Sequence, residues 1–137
     1  MFFKKKNNTE KKSVLEKIAA LLIHAAKIDE NYSKQEEVII EQTMLEIGLN
    51  GEDLKKIMLN AKEIENNSNQ ILEFTKEVKS MSNENKIKIV EALWKIIYSN
   101  QKADIYETNL MRRLAGLLYI DNKIMGDIKE KIKKENS

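Results

Sequence analysis

Residues 13–40 read SVLEKIAALLIHAAKIDENYSKQEEVII, two apolar stretches separated by a short acidic connection. In the first stretch, Ile18, Leu22 and Ala25 recur at four- and three-residue spacing, which is the period of one face of an α-helix. At the start of the second stretch, Ser33 precedes Glu36 by three residues, as in a capping box. The stretch therefore predicts a helix, a short turn and a second helix.

The same pattern continues along the rest of the chain. Its 137 residues correspond to one domain, and they include no proline and four glycines. Alternating β-branched runs closed by tight turns, which would indicate strands, are nearly absent. We predict an all-α fold of about seven helices in a compact bundle, with starts near Ser13, Ser33, Gly51, Ser68, Ser82, Asp104 and Asn122.

Composition excludes several classes of function. With no cysteine and one histidine, the chain has no disulfide framework, cysteine nucleophile or ordinary Cys/His zinc site. A net charge of +2 argues against a nucleic-acid binder. Because the sequence has no phosphate-binding glycine loop, nucleophile elbow or His-x-x-x-His pair, we expect no enzymatic activity.

The beginning of the chain bears on location. It lacks the apolar core of a signal peptide, and no apolar window is long enough to span a membrane, so we expect a cytoplasmic protein. A second hypothesis is weak peripheral contact with the inner membrane, because lysines beside aromatic residues favour an anionic lipid surface. The residues concerned are Phe2, Phe3, Lys4, Lys5 and Lys6.

Shifting the sequence by 71 residues superposes its first three predicted helices on its last three. Apolar residues then meet apolar residues in sequence order, as in the pairs Ile18 with Ile89 and Leu22 with Leu93. This pattern predicts two similar three-helix units joined by a connecting helix. The alternative is that two amphipathic helical hairpins match by chance.

The repeat suggests a division of the chain. We expect residues 1–12 to form a basic, flexible N-terminus and residues 13–135 to form a single helical domain. Its halves would span about 13–65 and 84–135.

The acidic connection of the first half has the spacing of an oxygen-ligand loop. Asp29, Asn31 and Ser33 stand at alternate positions, and Glu36 follows in the next helix. Hard cations bind such oxygens, so the candidate ligand is Ca²⁺, Mg²⁺ or Mn²⁺. The loop is not an EF-hand, because Lys34 stands where that motif needs glycine. The alternative is that Ser33 and Glu36 only cap the helix.

The second half offers a weaker version of this site. Asp104 and Glu107 occupy the positions of Ser33 and Glu36, and we count them as candidate metal ligands in a shared site. Asn100 replaces the leading aspartate and Lys102 would repel a cation. Helix capping is again the alternative.

Other polar and aromatic residues support narrower interpretations. Arg112 and Arg113 are the only arginines, and one of them is predicted to bridge to the acidic cluster or to a backbone carbonyl of the other half. His24 lies among apolar residues of the first helix and is interpreted as packed or half-exposed, not catalytic. Trp94 and the four tyrosines are interpreted as residues of the core or its edge.

Two stretches resemble a known family. Residues 17–37, KIAALLIHAAKIDENYSKQEE, resemble the helix, acidic loop and helix of tellurite-resistance protein B (TerB)-like domains. Residues 92–118, ALWKIIYSNQKADIYETNLMRRLAGLL, resemble the second half of the same family. The similarity extends from about Leu15 to Ile120.

The resemblance implies an all-helical fold, an acidic metal site and a role in bacterial stress responses or tellurite resistance. The family's acidic positions would fall on Asp29, Glu36 and Glu107. Glu30 stands where the family usually has glycine, and Asn100 and Gln101 replace its second Asp-Gly.

Two functions follow as expectations. One is a non-enzymatic TerB-like domain that binds a divalent cation and presents a helical surface to a protein partner. The other is a structural interaction or co-chaperone-like module whose acidic residues are only helix caps.

Overall fold

The chain is described by a computed structural model that covers residues 2–27, 33–67, 72–99 and 105–135, with side chains at 12–27, 33–67, 73–99 and 109–135. Over these residues it forms seven α-helices and no strand: α1 Phe2–Ala26, α2 Lys34–Glu46, α3 Leu54–Asn67, α4 Leu72–Lys79, α5 Asn83–Ser99, α6 Ile105–Leu117 and α7 Asn122–Glu135. A 3₁₀ turn, Gly51–Asp53, leads into α3. The predicted all-helical bundle is confirmed. None of the helices described is both long and apolar enough to cross a membrane.

Helix α1 lies at the centre of the bundle and packs against α2, α3, α4 and α5. Every side chain from Ile18 to Ile23 is buried, so α1 has no polar face along this stretch. A helix that is apolar on all sides must be surrounded by other helices to bury that surface. The alanines at positions 19 and 20 let these neighbours approach α1 closely.

Polar side chains begin two of the helices as predicted. Ser33 caps α2 in a complete capping box with Glu36. The Ser82 hydroxyl accepts a hydrogen bond from the backbone N–H of Asn85 in the first turn of α5, at 3.2 Å. Each such cap contributes about 1 kcal/mol.

The predicted start of the first helix at Ser13 is wrong, because α1 already begins at Phe2. The residues before Ser13 include no proline or glycine that would stop the helix. Glu16 does not serve a capping box. Its Oε1 instead accepts a hydrogen bond from the Asn60 side-chain amide on α3, at 3.0 Å.

The bounds of one pair of helices have the 71-residue spacing of the predicted repeat. Helix α6 begins and ends 71 residues after α2. Helix α1 packs on α3, and the corresponding helices α5 and α7 also pack together. Repeat partners such as Leu22 and Leu93 are both fully buried. The division into halves at about 13–65 and 84–135 stays a prediction.

Candidate functional site

Ser33 and Glu36 hold the start of α2 by two reciprocal hydrogen bonds. The Ser33 hydroxyl accepts the Glu36 N–H at 3.1 Å, and Glu36 Oε1 accepts the Ser33 N–H at 2.8 Å. Glu36 is only 1% exposed, so its carboxylate is held in a fixed position inside the protein. The capping role predicted as one alternative for this pair is confirmed.

A second buried carboxylate, Glu65 near the end of α3, holds the end of α1. Its Oε1 accepts a hydrogen bond from Lys27 Nζ at 2.6 Å, and His24 Nδ1 lies 3.3 Å from Oε2. Lys27 Nζ also donates to the side-chain oxygen of Asn66, at 2.8 Å. Because Glu65 is buried, these partners supply the polar contacts that water would otherwise give it.

An ion pair joins the start of α2 to α3 in the same region. Lys62 Nζ lies 2.9 Å from Glu37 Oε1, with both side chains partly exposed. Lys27, Glu37, Lys62 and Asn66 line an open cleft of about 330 Å³, which Ile23 also lines. This cleft and the two buried carboxylates, Glu36 and Glu65, form the candidate site at the α1–α2 connection.

The predicted cation ligands lie only partly within the structure described. Asp29, Asn31 and Asp104 are outside the described residues, and so is the side chain of Glu107 in α6. Within the described residues, no three histidine, aspartate or glutamate side chains come together as a metal-binding group. The described Ser33 and Glu36 have the oxygen chemistry that a hard cation requires, while at least one oxygen of each serves the helix cap.

The other predictions for polar and aromatic residues have mixed outcomes. His24 is half-buried and Trp94 is buried, as predicted. Tyr119 is 70% exposed, so its assignment to the core or its edge is wrong. Neither Arg112 nor Arg113 bonds to a residue whose side chain the structure describes, so the predicted bridge is not found in that part of the chain.

Sequence reasoning missed the role of Glu65, although a signal was present. Ile57, Ala61 and Glu65 follow each other at four-residue spacing, so Glu65 falls on the buried stripe of α3. A carboxylate on a buried stripe needs a cationic or hydrogen-bonding partner. The pair His24 and Lys27, one turn apart at the end of α1, supplies one.

Comparison with known proteins identifies the family. The family model described as Tellurite resistance protein TerB matches residues 15–130. No curated protein and no solved structure matches the chain. The family match includes all seven helices in whole or in part and extends over well more than half of the sequence. The chain therefore belongs to the TerB family.

Proposed function

We propose that this TerB-family chain is a non-enzymatic domain of a stress response of the tellurite-resistance type. In this proposal the α1–α2 connection binds Ca²⁺, Mg²⁺ or Mn²⁺ through Asp29, Asn31, Ser33 and Glu36. Asp104 and Glu107 are the corresponding candidates in the second half. The helical surface of the domain binds a protein partner.

The observation that carries the cation proposal is the anchoring of both ends of residues 28–32. Lys27, which precedes them, is bound to Glu65 at 2.6 Å, and Ser33, which follows them, is bound to Glu36 at 2.8 Å. A segment whose two ends are already fixed has less conformational entropy to lose when its oxygens bind an ion.

The charge around the connection supports the same proposal. Three carboxylates, Glu36, Glu37 and Glu65, are balanced by three ammonium groups nearby, those of Lys27, Lys34 and Lys62. Asp29 and Glu30 add further negative charge to the connection itself. A net negative loop attracts a divalent cation.

The proposed partner surface includes exposed apolar side chains of α2 and α3. Val38 and Leu45, seven residues apart and so on one face of α2, are 44% and 43% exposed, and Leu59 of α3 is 64% exposed. Exposed apolar residues grouped on a surface indicate contact with another protein. We place this interaction in the cytoplasm, with weak contact of residues 2–6 at the inner membrane as a further proposal.

A second candidate function is favoured by one observation. The complete capping box of Ser33 and Glu36 is what a purely structural interaction module would need at this position. In that case the acidic residues start helices and bind no ion.

Thermal unfolding with added cation separates the two candidates. Ca²⁺, Mg²⁺ and Mn²⁺ would each be titrated against the full chain, its Asp29→Asn variant and an Asp127→Asn control on the exposed face of α7. The proposal predicts a saturable rise in melting temperature for wild type and control that is lost in Asp29→Asn. A ligand at 100 times its Kd adds about 2.7 kcal/mol. No rise for any of the three ions up to millimolar concentration would leave the capping function as the better account.

A further inference from the structure

A small open pocket lies where α5, α6 and α7 meet, on a part of the surface distinct from the α1–α2 connection. Its volume is about 190 Å³, and its wall includes Trp94 of α5, Arg112 of α6, and Asn122 and Lys129 of α7. Gly126 also lines it, and a methyl group added there would meet no atom within 4 Å. The pocket has room for a single side chain, not for a drug-sized ligand.

Trp94, which lines this pocket, has an unsatisfied hydrogen-bond donor. The residue is only 3% exposed, and its Nε1–H has no acceptor among the residues that the structure describes. Leaving a buried N–H without an acceptor is energetically costly, so such groups in folded proteins usually have a partner. An acceptor supplied from outside would remove this cost.

The charged side chains of the pocket are both cations. Arg112 is exposed and forms no ion pair with any carboxylate in the described part of the chain. Lys129 Nζ lies 5.5 Å from the centre of the Trp94 ring and forms no ion pair with a carboxylate in the same part of the chain. Withdrawal of the flexible Lys129 side chain would uncover the indole and leave its ammonium group at the rim.

We infer that this pocket binds a glutamate or aspartate side chain of a protein partner. The carboxylate accepts hydrogen bonds from the Trp94 indole and the Arg112 guanidinium, and Lys129 pairs with its remaining charge. Tryptophan, arginine and methionine, all present in the pocket wall, are the residues enriched at the energetic centres of protein interfaces. This inference rests on the proposed partner-binding role and names the chemistry of the partner.

A peptide carboxylate fits this place better than a phosphate. Phosphates commonly bind the free backbone N–H groups at a helix start. At α7, the side chain of Asp121 already accepts the Lys123 N–H at 3.0 Å, and its negative charge opposes a second anion there. The missing side chain of Gly126 leaves open space at the pocket wall, which gives an extended segment room to approach.

The test uses Trp94 as its own reporter, because it is the only tryptophan in the chain. Its fluorescence would be followed while an acetylated and amidated hexaglutamate peptide is titrated into the full-length protein. The inference predicts a saturable change that a hexalysine peptide does not produce. Absence of a saturable change with hexaglutamate would overturn it, and so would an equal response to inorganic phosphate.

Adjacent arginines provide a matched pair of variants. Arg112→Ala should weaken hexaglutamate binding by about tenfold or more, whereas Arg113→Ala, which removes the same charge outside the pocket wall, should change it less than about threefold. Trp94→Phe, followed by calorimetry, should weaken binding by a similar factor because it removes only the indole N–H and part of the ring. Equal losses in the two arginine variants would indicate general charge attraction and overturn the inference.

The outcome is separable from the proposed cation site. Asp29→Asn should leave hexaglutamate binding unchanged, and Arg112→Ala should leave the cation-induced rise in melting temperature unchanged. Loss of peptide binding in Asp29→Asn, with the fold intact by circular dichroism, would contradict a separate pocket at Trp94.

Discussion

Gly48 and Tyr119 stand 71 residues apart and are the two described residues with a positive φ, 117° and 57°. Each follows a helix, α2 or α6, and each terminates it by the same pair of backbone hydrogen bonds. After α2, the Gly48 N–H donates to the Leu45 carbonyl and the Leu49 N–H donates to the Met44 carbonyl. After α6, the Tyr119 N–H donates to the Gly116 carbonyl and the Ile120 N–H donates to the Ala115 carbonyl. This is the Schellman motif, in which the left-handed position strongly favours glycine.

Substitution at these two positions should have opposite effects on stability. Gly48→Ala should lower the free energy of unfolding by about 1–2 kcal/mol, because alanine has a Cβ that disfavours the left-handed conformation. Tyr119→Asn should raise the midpoint of urea unfolding, because asparagine tolerates that conformation better than tyrosine. If the free energy of unfolding fell as much in Tyr119→Asn as in Gly48→Ala, the contacts of the Tyr119 side chain would stabilise the fold by more than its left-handed conformation destabilises it.

The exposed Tyr119 should ionise before Tyr98. A hydrogen bond from Lys79 and the charge of its ammonium group lower the pKa of Tyr119, and Lys79 Nζ lies 4.3 Å from the ring centre. Burial, together with the charge of Glu130, raises the pKa of Tyr98. In Tyr119→Phe, absorbance at 295 nm during an alkaline titration should therefore lose a phase that precedes the ionisation of Tyr98.

The lowered pKa of Tyr119 determines how this group changes the stability of the fold with pH. The folded state holds the Tyr119 proton less tightly than the unfolded state, so this group adds stability above the unfolded pKa and loses that contribution as the pH falls through the folded pKa. Lys79→Gln should move the Tyr119 phase to higher pH. An unchanged phase in Lys79→Gln would contradict the assigned cause.

Replacing Glu65 should lower the free energy of unfolding far more than replacing its neighbour Glu63. Glu65→Gln removes the charge that holds Lys27 and His24, so it should lower the free energy of unfolding by about 1.5–3 kcal/mol. Glu63→Gln, on the exposed side of the same helix, should change it by less than about 0.5 kcal/mol. If urea unfolding gave the same change in the free energy of unfolding for both variants, the buried contacts of Glu65 would add no stability.

The capping box of α2 should contribute more to the free energy of unfolding than the simple cap of α5. Ser33→Ala should cost about 1–2 kcal/mol because it leaves the Glu36 N–H without its side-chain acceptor, and Ser82→Ala should cost about 1 kcal/mol or less. Urea unfolding in the presence of a chelator measures both without a contribution from bound cation. A smaller loss for Ser33→Ala than for Ser82→Ala would contradict the structural role of the box.

The sequence predicted the helices well because their signals are local. The period of Ile18, Leu22 and Ala25 and the three-residue spacing of Ser33 and Glu36 depend only on neighbouring residues. The start of α1 was missed because serine is a common cap but also stands inside helices, and only the continuing chain decides between these uses. Glu65 and the pocket at Trp94 were missed because their partners come from distant helices.

In the candidate site, too, only the contacts between residues close in sequence could be predicted. The capping of α2 by Ser33 and Glu36 could be predicted, whereas the ion pairs of Lys27 with Glu65 and of Lys62 with Glu37 depend on how α1, α2 and α3 pack. The exposure of Tyr119 and the burial of Trp94 also depend on how the helices pack.

Isothermal titration calorimetry of the metal-free full chain with Ca²⁺, Mg²⁺ and Mn²⁺ tests the central claim most directly. We expect saturable binding of at least one of these ions to wild type and to the Asp127→Asn control. In Asp29→Asn the affinity should fall by about tenfold or more. This variant places asparagine where the second half already has Asn100. The same affinity in Asp29→Asn as in wild type, or no binding of any of the three ions, would contradict a cation site at the α1–α2 connection.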